Sequence, residues 1–583
     1  MSARRILGFA VVERRCYTGN MKMTSLFGCR GAVAVCITLS ACAAGPSGAT
    51  GYPDTGSTYG AFLAARYAAA QSDPAAATKF YTRALQGEGN NQELIAEGFL
   101  AGVLSGSPEA AQLAPKLPGN TLATLLLGNQ AALAGNFDQA KQVFHTLPQD
   151  NLAGLIKPLL LAWAQLGEGN EQAALTGLGS YFTNPTFGPV YMLNAALIAD
   201  AAGDTKSATQ LYANVDTSQP NLRLAQILAS WYARRGQTAQ ANATLDTLIA
   251  THPDLQIGLP QLQAQLAKPV ITTAADGMAE AYLTLAGSLN QPQEAFLRTV
   301  LLRFALQLRP DLAAARLLLA NTQIGADDPN FTPTPVEMNN ALATLQPIQK
   351  SDPLYGPASV QEAALLASLK QPEQAVALLQ DLINANPGNA GLLGAAGDVL
   401  RNSNQCPAAI PYYSQAIAAA GQPAPPAAWS LFFDRGICED QTNGWTAAEP
   451  DMMRALKLSP NQPYVLNYVG YSWALHGEKL PEAKAMLRHA LSLDPNDGAV
   501  IDSLGFVELK QGNTKDALAL LTKAVQLSAD DPEVNSHLGD AFWQNGQPLQ
   551  ADYQWQRALS LNPPPKLAAE LNSKIQQHFG TSP

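Results

Sequence analysis

The chain has 583 residues, a formal net charge of -10 and only 14% charged and 7% aromatic side chains. That length exceeds what one compact core organises, which leaves several domains or one repeating solenoid. Residues 1–41 hold Arg4, Arg5, Arg14, Arg15, Lys22 and Arg30 against Glu13, so the body carries -15; that argues against a phosphate-binding nucleic-acid surface and against adsorption of the folded part to an anionic membrane.

The leader comes first. Lys22 and Arg30 precede an apolar run from Gly31 to Leu39, followed by Leu39-Ser40-Ala41-Cys42. This resembles a bacterial lipoprotein signal, with a basic region, a short apolar region and a lipobox. The apolar run falls well short of the roughly 20 residues a spanning helix needs, as expected of a cleaved signal. The resemblance implies that Cys42 becomes the first mature residue and carries a diacylglycerol on its sulfur. An ordinary secretory signal cleaved near Ala41–Ala44 is the alternative. Ala43 in place of Asp resembles the outer-membrane sorting pattern, which sets the expected location at the periplasmic face of the outer membrane. Met21 or Met23 is the expected true start, because a basic region of 30 residues containing Glu13 does not fit such a signal. Residues 42–57 are rich in Gly, Ser, Thr and Pro and read as a flexible tether spanning on the order of 20 Å.

From residue 58 onward the expectation is helix. Alanine is abundant, and no sustained Val/Ile/Thr alternation or Asn-Gly hairpin between apolar runs appears. Divergent repeats are expected over 58–255, marked by Ala77, Tyr81 and Ala84, by Gly128, Ala140 and Phe144, and by Ala208 and Tyr212. Residues 256–353 break the period, with prolines at 260 and 269 and again at 329, 333, 335, 347 and 353, and read as divergent repeats or a hinge. The repeat is clearest over 356–565. Gly505 and Gly539 are 34 apart, as are Ala517 and Ala551, Leu521 and Trp555, and Ala524 and Ala558. A period of 34 with small residues fixed at three points predicts antiparallel helix pairs stacked into an all-α superhelical solenoid. Residues 566–583 read as a capping helix and tail.

This pattern resembles the tetratricopeptide (TPR) consensus, with a small residue at position 8, Ala at 20 and 27, a large apolar residue at 24 and Pro at 32. Small residues let paired helices approach closely, and proline ends the second helix. The phrases Leu466-Asn-Tyr-Val-Gly-Tyr-Ser-Trp473, Asp502-Ser-Leu-Gly-Phe506 and His537-Leu-Gly-Asp540 look like those of proteobacterial TPR envelope lipoproteins. That resemblance implies a protein-binding adaptor or scaffold in the cell envelope, with partners that include periplasmic proteases or hydrolases. The alternative is an accessory subunit of an assembly or export machine, such as polysaccharide secretion or outer-membrane complex assembly.

In TPR proteins the first helix of each pair lines the concave face through positions 2, 5, 9 and 12. Here these positions nominate Tyr464, Asn467, Tyr471, Asp502, Phe506, Ser536, Asp540 and Trp543. Rings, amides and carboxylates suit an extended peptide, although aromatics at helical spacing also fill cores. The carboxylate-gripping TPR pattern of Lys, Arg and Asn is replaced by Asp502, Ser503, Phe506, Glu533 and Asp540, which argues against such a clamp. Cys406 and Cys438 fall where a helix-pair turn meets the neighbouring first helix, so they are either a disulfide or two small buried residues. The six histidines show no metalloprotease spacing, and neither a Cys-x-x-Cys nor a Gly-x-Ser-x-Gly is present. The expectation is a protein with no catalytic residues, no metal and no cofactor.

Overall fold

A computed structural model describes residues 56–215, 222–328 and 331–580. Cys42, the leader and all but the last two tether residues lie outside that range. The described residues are helical, with no strand among them. The chain divides at 382/383 into two compact units, within the helix Pro372–Ala385. Within 256–353, read as divergent repeats or a hinge, residues 335–345 form a helix opened by a Thr334/Glu337 capping box, which buries Ala341 and Leu345.

In the first unit, α1 (Thr58–Ala70), α2 (Pro74–Gly87), α3 (Gln92–Ser105), α4 (Thr121–Leu133), α5 (Asn151–Gly167) and α6 (Gly188–Ala202) open the stack. The consensus rule operates here: a Cβ at Gly128 would overlap the Phe144 ring of the paired helix. Two later helices, α7 (Ala274–Ser288) and α8 (Ala295–Leu308), leave the sequential pattern. α7 packs on α4, α5 and α6, and α8 packs on α3 and α4, all first helices of their pairs. The concave face of this unit is therefore filled by the chain's own helix pair. Tyr282 donates to Asn129 Oδ1 at 3.1 Å, and Asn129 donates to Gln307 at 3.0 Å. Trp163 donates to Asn194 at 2.9 Å, and Asn194 in turn donates to Thr284. Gly277 is needed because a Cβ there would enter the Trp163 indole. Each buried polar group so paired avoids the penalty of an unmade hydrogen bond.

In the second unit the helix pairs follow one another at close to the 34-residue period from 429 onward, after a longer first step from 390. Its first helices are α9 (Ala390–Asn402), α11 (Trp429–Asn443), α13 (Pro463–His476), α15 (Gly498–Lys510) and α17 (Pro532–Gln544). Their partners are α10 (Cys406–Ala419), α12 (Trp445–Leu458), α14 (Leu480–Leu493), α16 (Thr514–Leu527) and α18 (Pro548–Ser560), and α19 (Pro565–Phe579) closes the end. A Cβ at Gly470 would lie 2.7 Å from Leu487 Cγ, and one at Gly505 would lie 2.7 Å from Leu521 Cγ. Asp497 and Asp531 cap α15 and α17 by accepting two backbone N–H bonds each. Cys406 and Cys438 are joined by a disulfide across a Cα separation of 4.8 Å, linking the start of α10 to α11.

Candidate functional site

The groove residues nominated by repeat position separate into two groups. Towards the C-terminal end the concave row is closed by its own side chains. Asp502, Phe506 and Ser536 are buried. His537 lies at the centre. Its Nδ1 is 2.9 Å from the Asp502 carboxylate, and its ring stacks on Phe506 with centroids 4.4 Å apart. Burial disfavours the imidazolium, but Asp502, followed by Glu533 and Asp540, outweighs that and lifts its pKa to about 9. Tyr471 of α13 reaches past α15 to donate to Glu533 of α17 at 2.5 Å. Asp540 accepts from Trp555 at 2.9 Å and from Lys574 at 2.8 Å, and the Trp543 ring stacks on His578 of α19 at 3.9 Å. Asp502, Phe506 and Ser536 are thus packed against neighbouring repeats, while Asp540 and Trp543 stay partly exposed beside the capping helix.

Towards α9 the row is different. Tyr464 is 46% exposed on α13. Asn467, one turn further along the same face, encloses its Oδ1 completely, and that atom accepts no hydrogen bond among the described residues. Tyr468 donates to Asp440 of α11 at 2.8 Å and meets Phe433 edge-on at 5.9 Å, which ties α13 to α11. On the next interface Arg401 of α9 is shared between Asp434 at 3.3 Å and Asp398 at 3.9 Å, and Tyr413 donates to Asp398 at 2.7 Å. Burial, and then the negative charge of Asp398, push the Asp434 carboxyl well above the usual range. One guanidinium thus serves two carboxylates. Asp398, Arg401 and Asp440 were missed because concave positions were read only from 464 onward; they stand at positions 9 and 12 of the 390 repeat and 12 of the next, with Asp434 at position 6 beside them.

Among the described residues no group of three or more His, Cys, Asp or Glu side chains is placed to hold a metal ion, and no helix is long and apolar enough to cross a membrane. Three stretches match tetratricopeptide-repeat profiles, over residues 227–254, 395–464 and 505–546. The chain carries tetratricopeptide repeats. A TPR repeat-containing protein of Pseudomonas aeruginosa is 31% identical over 111 residues, which is 19% of this chain and 19% of that protein. Among solved structures, YrrB, described as a TPR protein with an unusual peptide-binding site, is 16% identical with a TM-score of 0.27, covering 33% of this chain and 97% of that one. PilW, a type IV pilus biogenesis factor, is 18% identical with a TM-score of 0.27, over 33% of this chain and 94% of its own. Proteins built of such repeats bind other proteins and are in general scaffolds, and this chain's repeats are of that kind.

Proposed function

We propose that this protein is a non-catalytic adaptor of the cell envelope. Lipid on Cys42 holds it at the periplasmic face of the outer membrane. It grips an extended segment of a partner protein on the concave row formed by α9, α11 and α13. The observation that carries the reading is Tyr464, a large ring left 46% exposed on α13 one turn from the Asn467 amide. The ring offers rigid contact area and the side-chain amide suits a peptide backbone. In the first unit the equivalent face is filled by α7 and α8, which directs the reading to the second unit.

The test places a photo-crosslinking amino acid at position 464 and, separately, at position 553 on α18, where Tyr553 is 68% exposed. Irradiated envelopes should give a discrete adduct from 464 alone, and N467A should weaken it. Equal adducts from both positions, or none from 464, would remove the groove from consideration. A protease or hydrolase in the adduct identifies an adaptor; a secretin or synthase identifies an accessory subunit. Cys42→Ala should release the protein from the membrane fraction.

A further inference from the structure

The two ends of this repeat chain are finished differently. A solenoid needs polar terminal faces to stay soluble. At the C-terminal end α19 lies over Trp543 and Trp555 and presents Lys574 and Glu570. At the other end, α1 buries Gly60, Ala61, Ala64, Ala65 and Ala68. On its other side it presents Tyr59, Leu63 and Tyr67, which are 70%, 50% and 59% exposed. Spaced by four residues, these three form one stripe along the helix.

The same hairpin departs from the charge of the rest of the chain. α1 contains no carboxylate and one cation, Arg66, and α2 contains Lys79 and Arg83 and no carboxylate. With Asp73 in the turn, residues 58–87 carry +2 in a chain whose total is -10. Arg66 is 57% exposed, lies over the Phe62 ring and stands 3.9 Å from the Glu97 carboxylate, whose pairing it would keep beside the bilayer. Tyrosine, leucine and arginine on one helix face match the interfacial zone of a bilayer, where rings with one polar end settle and anionic headgroups attract cations. The whole-body charge argument against membrane adsorption does not apply to this hairpin.

We propose that the outer face of α1, through Tyr59, Leu63 and Tyr67 with Arg66 beside them, docks onto the anionic lipid surface to which Cys42 tethers the chain. The inference rests on the reading of Cys42 as lipidated. Three side chains and a small positive charge bind a vesicle weakly from solution. Fifteen residues lie between Cys42 and Thr58, a reach of at most about 55 Å. A tether of that length turns docking into an intramolecular event with an effective concentration on the order of millimolar. Docking then fixes the orientation of the first unit to the membrane instead of leaving it to swing.

The experiment uses the full lipidated chain with an environment-sensitive fluorescent amino acid at position 70, the exposed end of the stripe. It is reconstituted into vesicles of phosphatidylethanolamine and phosphatidylglycerol and checked by flotation. The expected result is flotation with a blue shift in emission that the triple variant Tyr59→Ser, Leu63→Ser, Tyr67→Ser abolishes while floating equally well. Arg66→Glu with Lys79→Glu should diminish the shift without touching the apolar side chains. Flotation with an unchanged emission, or with a shift the triple variant retains, overturns the docking and leaves the anchor standing. Failure to float overturns the anchor and the docking together. A shift that grows with protein concentration in the absence of lipid identifies a second copy as the occupant and overturns the proposal.

Discussion

Replacing His537 tests the charged centre of the second unit. The imidazole lies 2.9 Å from Asp502 and is almost fully enclosed. A rise from an ordinary 6.5 to about 9 corresponds to about 3 kcal/mol in favour of the charged, folded form. Because the folded value lies above the unfolded one, that stabilisation is complete below about pH 6.5 and is lost as pH climbs towards about 9. A double-mutant cycle of H537Q with D502N, read by urea denaturation, should give a coupling of about 2–3 kcal/mol at pH 6 and close to nothing at pH 10. Truncating one partner alone should cost as much or more, because the other group is left buried and unpaired. Histidine-selective carbon-13 labelling, with the resonance assigned by its loss in H537Q, reads the titration directly. An imidazole titrating at or below 6.5, or a coupling that does not change between pH 6 and 10, would refute the reasoning.

Other outcomes follow from the same geometry. Gly277→Ala should destabilise the first unit by about 2 kcal/mol, measured as a lowered urea midpoint. Helix propensity alone would predict the opposite sign, so a stabilised variant would mean that Trp163 does not press on this glycine. Cys438→Ala opens a link between residues 32 apart and should cost about 3–4 kcal/mol. The unreduced mature protein should show no reactive thiol from Cys406 or Cys438, and two reacting equivalents would contradict the bond. Tyr464→Ala and Asn467→Ala should each weaken capture of the crosslinked partner at least about tenfold, while the melting profile stays within about 0.5 kcal/mol of the parent. A melting loss that parallels the binding loss would make them structural residues.

The helix pairing of the second unit was legible because it is written in volume. Gly470, Gly505 and Gly539 each stand opposite a large residue, and that opposition recurs every 34 or 35 residues. Repeat position also pointed to the concave row, yet it says only that a residue faces inward, not how much room remains there. Tyr471 spans two neighbouring repeats, and α19 folds back over Trp543. Both depend on curvature and on the chain end, which no single repeat encodes. The filling of the first unit by α7 and α8 was harder still to see. Their sequences show apolar residues on most sides of the helix, such as Met278, Ala279, Ala281 and Leu283. A helix buried all round is recognisable as such, but its neighbours are not. Asn129 and Gln307 meet across 178 residues, beyond the reach of any local pattern.

That last contact changes how the first unit must assemble. An ordinary repeat stack grows by neighbours, each hairpin settling on the one before. Here the inner surfaces of α3 to α5 wait for a helix pair made more than a hundred residues later, with Arg303 returning to the Leu104 carbonyl across 199 positions. Such separations slow folding, and they leave apolar surface uncovered while the chain is still emerging. The same closure converts a string of semi-independent hairpins into one cooperative body. The N-terminal unit should therefore resist fraying from its ends, whereas the C-terminal unit keeps the graded, hairpin-by-hairpin opening of a true repeat array.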